Sequence, residues 1–245
     1  MTGLAKAGVR SSRLAAMLAA LAGVLSPTGA ALAAGLEGVW YGLRSDGLSG
    51  KIKADHYTFL PDGRVFRRPP TEGLGRPIDW ALECRYAECG TFERKDGGVA
   101  FNASSGTSTQ FTLDGEGVLR KAAPKTSYRR MHLLDGPLNG TWGVFDPNGG
   151  PPVVTLTLRP DGSFHEAGLL QFSAWAALAP PGEDRGGQAV ERGEGAYSVR
   201  RGTLELRYRG GTVARFFLAT PPAVAPGASP TVLHLGGARL EKAPD

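Results

Sequence analysis

The sequence predicts an all-β protein built from two tandem antiparallel meander barrels of about seven or eight strands each. Three observations carry this. The stretch Leu36-Glu-Gly-Val-Trp-Tyr-Gly42 returns as Leu138-Asn-Gly-Thr-Trp-Gly-Val144. Apolar and polar residues alternate through both halves with the period of a half-buried strand. Turn residues punctuate that alternation at matching places.

The duplication extends in register through four blocks. Leu36, Gly38 and Trp40 match Leu138, Gly140 and Trp142. Tyr57, Phe59, Pro61, Asp62 and Gly63 match Leu156, Leu158, Pro160, Asp161 and Gly162. Gly73, Leu74 and Trp80 match Gly168, Leu169 and Trp175. Gly90, Phe92, Gly97, Val99, Phe101, Phe111 and Leu113 match Gly195, Tyr197, Gly202, Leu204, Leu206, Phe216 and Leu218. Repeats on this scale mark duplicated structural units, and loops are expected where the offset between blocks changes.

Each element has a local reason. Tyr57 and Phe59 alternate with polar neighbours, as do Leu156 and Leu158 between threonines. Asp62-Gly63 and Asp161-Gly162 supply the positive φ of a tight hairpin turn. Gly97-Gly98 and Gly202 do the same one hairpin later. Apart from the N-terminal segment, one stretch reads as helix, about 79–87, with Asp79 as its N-cap. Glycine (36) and proline (18) are abundant, yet 41% of the chain is apolar, which favours a turn-rich β protein over a disordered one. Short strands must hide their edges, and closing each sheet does so; a single joint sheet or sandwich from both halves is the alternative.

The first 33 residues read as a secretory signal peptide. Lys6, Arg10 and Arg13 form a basic region, Leu14 to Leu25 an apolar run, and Ala31-Leu32-Ala33 a small-residue cleavage site. The apolar run is too short for a span, so a short membrane anchor is the weaker reading. Removing residues 1–33 takes three of the 28 Lys+Arg and none of the 23 Asp+Glu, leaving 25 against 23. A balance of +2 gives nucleic-acid binding no support. The expected organisation is therefore a signal over 1–33, a first barrel over 34–135 and a second over 136–245, in a protein that is secreted or periplasmic, with no membrane span. Cys84 and Cys89 are the only cysteines, and in an oxidising compartment they are expected to pair.

Gly-x-Trp on a first strand, followed by a meander of short strands, resembles the lipocalin or calycin type of barrel and uncharacterised exported bacterial proteins of that kind. The resemblance implies that Trp40 and Trp142 are core residues near a closed barrel end. The long C-terminal helix and the Thr-Asp-Tyr loop of true lipocalins are missing, so the resemblance does not extend to carriage of a hydrophobic ligand.

Chemistry is best sought in the long connection of each copy, about 67–89 and 167–194. Trp80 with Arg76 and Arg85 forms an aromatic-plus-cation candidate for an anionic or sugar ligand, with Trp175 as its counterpart. The competing and stronger reading is that Trp80 with Leu74, and Trp175 with Leu169, plug the open ends by packing alone. Catalytic signals are poor. His56, His132, His165 and His234 lie at no metal-binding spacing, and there is no nucleophile elbow. Asp55-His56 and His165-Glu166 are candidate acid–base pairs only if the fold brings them together. Glu72, Asp79 and Glu166 would suit a glycosidase only at the right separation. The sequence thus points to a non-enzymatic binding or interaction protein of the cell envelope, without cofactor or metal, whose partner is an unidentified small molecule or envelope component. The alternatives are a structural envelope protein without a small ligand and, less favoured, a carboxylate-dependent hydrolase.

Overall fold

The computed structural model describes residues 35–45, 51–95, 97–123, 125–145, 152–170, 192–222 and 230–243. The segment over 1–33 that the sequence predicts to be a signal, and Trp175, lie outside them. The chain is all-β, as predicted, and forms two closed eight-stranded antiparallel barrels.

The first barrel runs through β1 (Gly38–Ser45), β2 (Ile52–Phe59), β3 (Arg64–Phe66), β4 (Cys89–Lys95), β5 (Gly98–Ala103), β6 (Ser108–Leu113), β7 (Leu119–Lys121) and β8 (Thr126–Arg130). Each strand pairs with the next, and β8 returns to β1 with Arg130 opposite Trp40 and Tyr128 opposite Gly42. The linking strand β9 (His132–Leu133) is followed by β10 (Gly140–Val144), β11 (Val154–Leu158), β12 (Ser163–Ala167), β13 (Arg192–Arg200), β14 (Thr203–Tyr208), β15 (Val213–Thr220), β16 (Val232–Leu235) and β17 (Ala238–Lys242). Strands β10 to β17 form the second ring, closed where β17 meets β10.

The duplicated register is visible residue by residue. Trp40 faces Tyr57 across β1 and β2, as Trp142 faces Leu156 across β10 and β11. Phe92 opposes Phe101 as Tyr197 opposes Leu206. The repeated Pro-Asp-Gly turn is built the same way twice. Asp62 accepts from the Arg64 amide and Asp161 from the Ser163 amide, while Gly63 and Gly162 take φ of 84° and 81°. An L side chain is strained there, which is why glycine stands at both places.

Each interior holds a packed apolar cluster. The first holds Trp40, Tyr57, Phe59, Phe101, Phe111 and Tyr128 among others, with Tyr57 edge-on to Phe101, Phe111 and Tyr128 at 5.1–5.7 Å. The second is more aliphatic, packed around Trp142, Leu156, Leu158, Phe164, Leu204 and Leu206. The paired tryptophans are buried alike but capped differently. The Trp40 indole donates to the Leu36 carbonyl and the Trp142 indole to that of Pro230. Edge-on aromatic packing adds to the burial term of each ring by about 1 kcal/mol.

One helix is described in full, α1 (Trp80–Tyr86), and Asp79 caps it by accepting from the Leu82 amide at 3.0 Å. Cys84 and Cys89 are joined by a disulfide, which ties the end of α1 to the start of β4.

The two barrels share a seam. Val39 and Met131 of the first pack on Phe217 and Ala219 of the second, with Tyr41, Leu74 and Leu133 against them. The Phe217 amide donates to the Thr71 carbonyl, and the Gly75 amide to the Thr203 hydroxyl. A Cβ on Gly73 would lie 2.4 Å from the Gly202 carbonyl oxygen, so glycine is what lets the first long connection approach the second barrel. β9 pairs with β15, and Asp135 accepts from the Arg201 amide, so the linker belongs structurally to the second barrel.

Candidate functional site

The sequence-nominated residues scatter. Trp80 does not close a barrel end. It packs edge-on against Phe66 at 6.1 Å, and Phe66 alternates with the interior residue Val65, so both rings lie on the outer wall. The plugging role expected of Trp80 and Leu74 is therefore corrected: α1 is laid on the outside of β3 and β4, and Leu74 is shared between this outer cluster and the seam. Leu169, its match in the second copy, does enter the interior. The cation over the Trp80 indole is Arg64, 4.7 Å away. Arg76 and Arg85 are exposed, and Arg85 leans on Tyr86 instead. Trp175, the fourth candidate, falls outside the described residues.

The acidic candidates do not converge either. Asp55 and His56 are neighbours on β2, so they point to opposite faces: Asp55 meets Tyr128 in the interior and His56 meets Tyr41 at the seam. Glu166 is buried inside the second barrel while His165 faces outward. Asp79 is spent on its cap, and Glu72 is exposed.

What the fold does assemble is a charged group at the end of the first barrel opposite the Pro-Asp-Gly turn. Alternation on β2 turns Asp55 inward with Tyr57 and Phe59. The Asp55 carboxylate receives both Nε and Nη2 of Arg67, at 3.0 and 2.9 Å, and the Tyr128 hydroxyl at 2.8 Å. Arg67 continues to Glu88 at 3.7 Å and lies over the Tyr57 ring. Arg44 brings Nε to 3.9 Å from the same carboxylate; this nitrogen is shielded from water and has no hydrogen-bond partner. Burial alone would raise the Asp55 pKa, but the Arg67 hydrogen bonds and charge, with the Tyr128 hydroxyl, hold it below the usual carboxylate range. Burial pushes Tyr57 up to about 12, and burial with the Asp55 charge pushes Tyr128 further up. A carboxylate held ionised by a bidentate guanidinium carries fixed charge; it is a poor proton donor or acceptor at neutral pH.

This group adjoins a cleft of about 500 Å³ formed by β5 to β8. Lys121, opposite Phe111 on the inward face of β7, belongs to both. Burial and the Arg67 charge lower its pKa. Lys95, Lys125 and Arg120 line the rest of the cleft with Gln110, Thr112 and Ser127. Arg120 is paired with Asp114 at 2.7 Å. Among the described residues no carboxylate lies within ion-pair distance of Lys95, Lys121 or Lys125. Lys121 and Lys125 flank the β7–β8 turn and Lys95 ends β4, so the three are not contiguous and no run of charge announces them in the sequence.

The second barrel places a buried carboxyl group, Glu166, at the equivalent position. Glu166, on β12, opposes Leu156, and its counterpart Arg67 follows the last rung of β2 and β3, Thr58 with Phe66. Glu166 accepts from the Leu169 amide at 2.8 Å, with the Tyr208 hydroxyl 3.3 Å away.

A further polar pair lies at the seam. His56 on β2 and His234 on β16 are both buried, their ring centroids 6.2 Å apart, with the Tyr41 ring 5.2 Å from one and 5.0 Å from the other. No group of three or more metal-ligating side chains occurs among the described residues. No family model, curated protein or solved structure matches the chain.

Proposed function

We propose that the chain is an exported, non-enzymatic binding protein of the cell envelope, built from two lipocalin-like barrels, and that the cleft of the first barrel takes a small multivalent anion. The observation that carries this is the set of three lysine ammonium groups, Lys95, Lys121 and Lys125, around one cleft, with no carboxylate among the described residues within ion-pair distance of them. Gln110, Thr112 and Ser127 add neutral donors beside the cations, which suits a hydroxyl-bearing anion such as a phosphorylated or uronic-acid saccharide. The packed interiors weigh against an apolar ligand inside either barrel. The disulfide agrees with an exported protein.

Isothermal titration of the full chain with inorganic phosphate and with a uronic-acid oligosaccharide tests this at low ionic strength. Binding is expected to weaken as salt is added. In the Lys121→Met/Lys125→Gln variant it should weaken at least about tenfold, one hydrogen-bonded charge being worth roughly 1.5–3 kcal/mol, with the circular dichroism unchanged. Absence of binding to either anion by the wild-type chain overturns the reading. That outcome would favour the second one, a structural envelope component without a small ligand, which the two packed interiors support.

A further inference from the structure

His56 is 7% exposed and His234 3%, and they come from different barrels. Nε2 of His56 and Nδ1 of His234 are sealed from water and have no hydrogen-bond partner. A neutral imidazole can keep an unprotonated nitrogen in such a place at modest expense. An imidazolium cannot, because both nitrogens then carry hydrogens and the ring brings a charge into an apolar seam.

The surroundings offer that charge little relief. Asp55 is next along β2, but it points into the barrel and is engaged by Arg67 and Tyr128. Arg239 on β17 stands opposite His234, and Arg129 on β8 stands opposite Tyr41. Glu241 is bound to Arg239 at 3.0 Å. Each histidine also faces the other. A metal does not fit here: no third His, Cys, Asp or Glu groups with the pair among the described residues, and Arg239 repels a cation.

We propose that His56 and His234 form an acid-released latch: neutral, they let the two barrels dock through the seam, and protonated, they part the barrels while each barrel stays closed. Nothing in the seam is needed for closure, since each ring of strands is completed by its own ladder, β8 with β1 and β17 with β10. Against parting stand the apolar contacts of Val39, Met131, Phe217 and Ala219 and the two hydrogen bonds made by Thr71 and Gly75.

The direction follows from linkage. Burial holds both docked rings down to about 4: for His56 the charge of His234 adds to it, and for His234 that of Arg239. In water the same rings titrate near 6.5. Docking is therefore fully favoured above about 6.5, and as pH falls toward 4 the parted form takes up protons that the docked form refuses. Each ring then shifts the equilibrium by up to about 300-fold.

Small-angle scattering and circular dichroism of the full chain from pH 7.5 to pH 4 test this. The radius of gyration should rise with a midpoint between about 4 and 6.5, while the β-sheet dichroism persists. His56→Gln/His234→Gln should stay compact over the same range. If that variant is already parted at neutral pH, His234→Phe, which keeps a ring against Tyr41, replaces it with the same expectation. A radius that never changes, an unchanged midpoint in both variants, or loss of sheet dichroism together with the expansion would each overturn the latch.

Discussion

Arg67 and Glu166 occupy matching positions in the duplicated barrel, one a guanidinium and the other a buried carboxyl group. Arg67 directly follows β3, next to the Phe66–Thr58 rung, and Glu166 lies on β12 opposite Leu156; each stands four residues after the glycine of its Pro-Asp-Gly turn. Arg67 is committed to Asp55 through two hydrogen bonds, whereas Glu166 accepts from a backbone amide. Arg67→Met would leave a 6%-exposed Asp55 without its hydrogen-bonded cation, with Arg44 remaining at 3.9 Å. The expected loss is about 3 kcal/mol, read from urea unfolding. Glu166→Gln keeps an acceptor for the Leu169 amide, and its loss should stay under about 1.5 kcal/mol. Equal losses in the two variants would contradict this assignment of roles.

The interior phenols set an alkaline limit. Burial pushes Tyr57 up to about 12, and Tyr128 and Tyr208 are raised further by burial and by the carboxylates Asp55 and Glu166 beside them. Unfolded tyrosines ionise near 10. A folded pKa above the unfolded one means that this stability is intact below about 10 and is lost as pH rises toward 12. The tyrosinate absorbance of these three residues should therefore appear together with unfolding. A gradual titration of these three residues near 10 in folded protein would refute the buried placement.

Gly90 and Gly195 make the same demand in the two copies. A Cβ at either would lie 2.0 Å from a backbone oxygen of the neighbouring strand, that of Asn102 or Arg207. Backbone cannot step aside as a flexible side chain can. Gly90→Ala and Gly195→Ala are each expected to destabilise by about 2 kcal/mol or more. Thermal unfolding of the single variants checks this, and a neutral effect at both sites would contradict the close strand approach.

Reducing the Cys84–Cys89 disulfide frees a short loop, so the loss should be near 2 kcal/mol in the chain-entropy picture. The ladder between β3 and β4 does not depend on it. Sheet dichroism should survive reduction while the melting temperature falls. Collapse of the first barrel on reduction would show that α1 is more than a covering on its outer wall.

Much of the fold was legible because a closed meander is specified locally. Alternation tells which face of a strand is buried, and a Pro-Asp-Gly turn tells where it reverses. The matched blocks, such as Phe92, Val99 and Phe101 with Tyr197, Leu204 and Leu206, land on equivalent rungs. The helix and its Asp79 cap followed from the same local rules. The charged groups were not legible in this way. Alternation assigns Asp55 and His56 to opposite faces, but it does not say that Asp55 will meet Tyr128 or that His56 will meet a histidine of the other barrel. Trp80 was misplaced for a related reason: an amphipathic segment after a strand can cover a barrel end or a barrel wall, and the choice is made by Phe66 turning outward.

The order of closure gives the chain an asymmetry in time. The first ring is complete once β8 has reached β1, using nothing beyond residue 130. The second needs β17, more than a hundred residues further along, before β10 finds its second partner. A polypeptide emerging N-terminus first can therefore finish one barrel while the other is still being delivered. Losing residues 238–243 would leave β10 and β16 as bare edges in the second barrel and the first ring untouched, so incomplete chains would carry one sound barrel attached to an adhesive one.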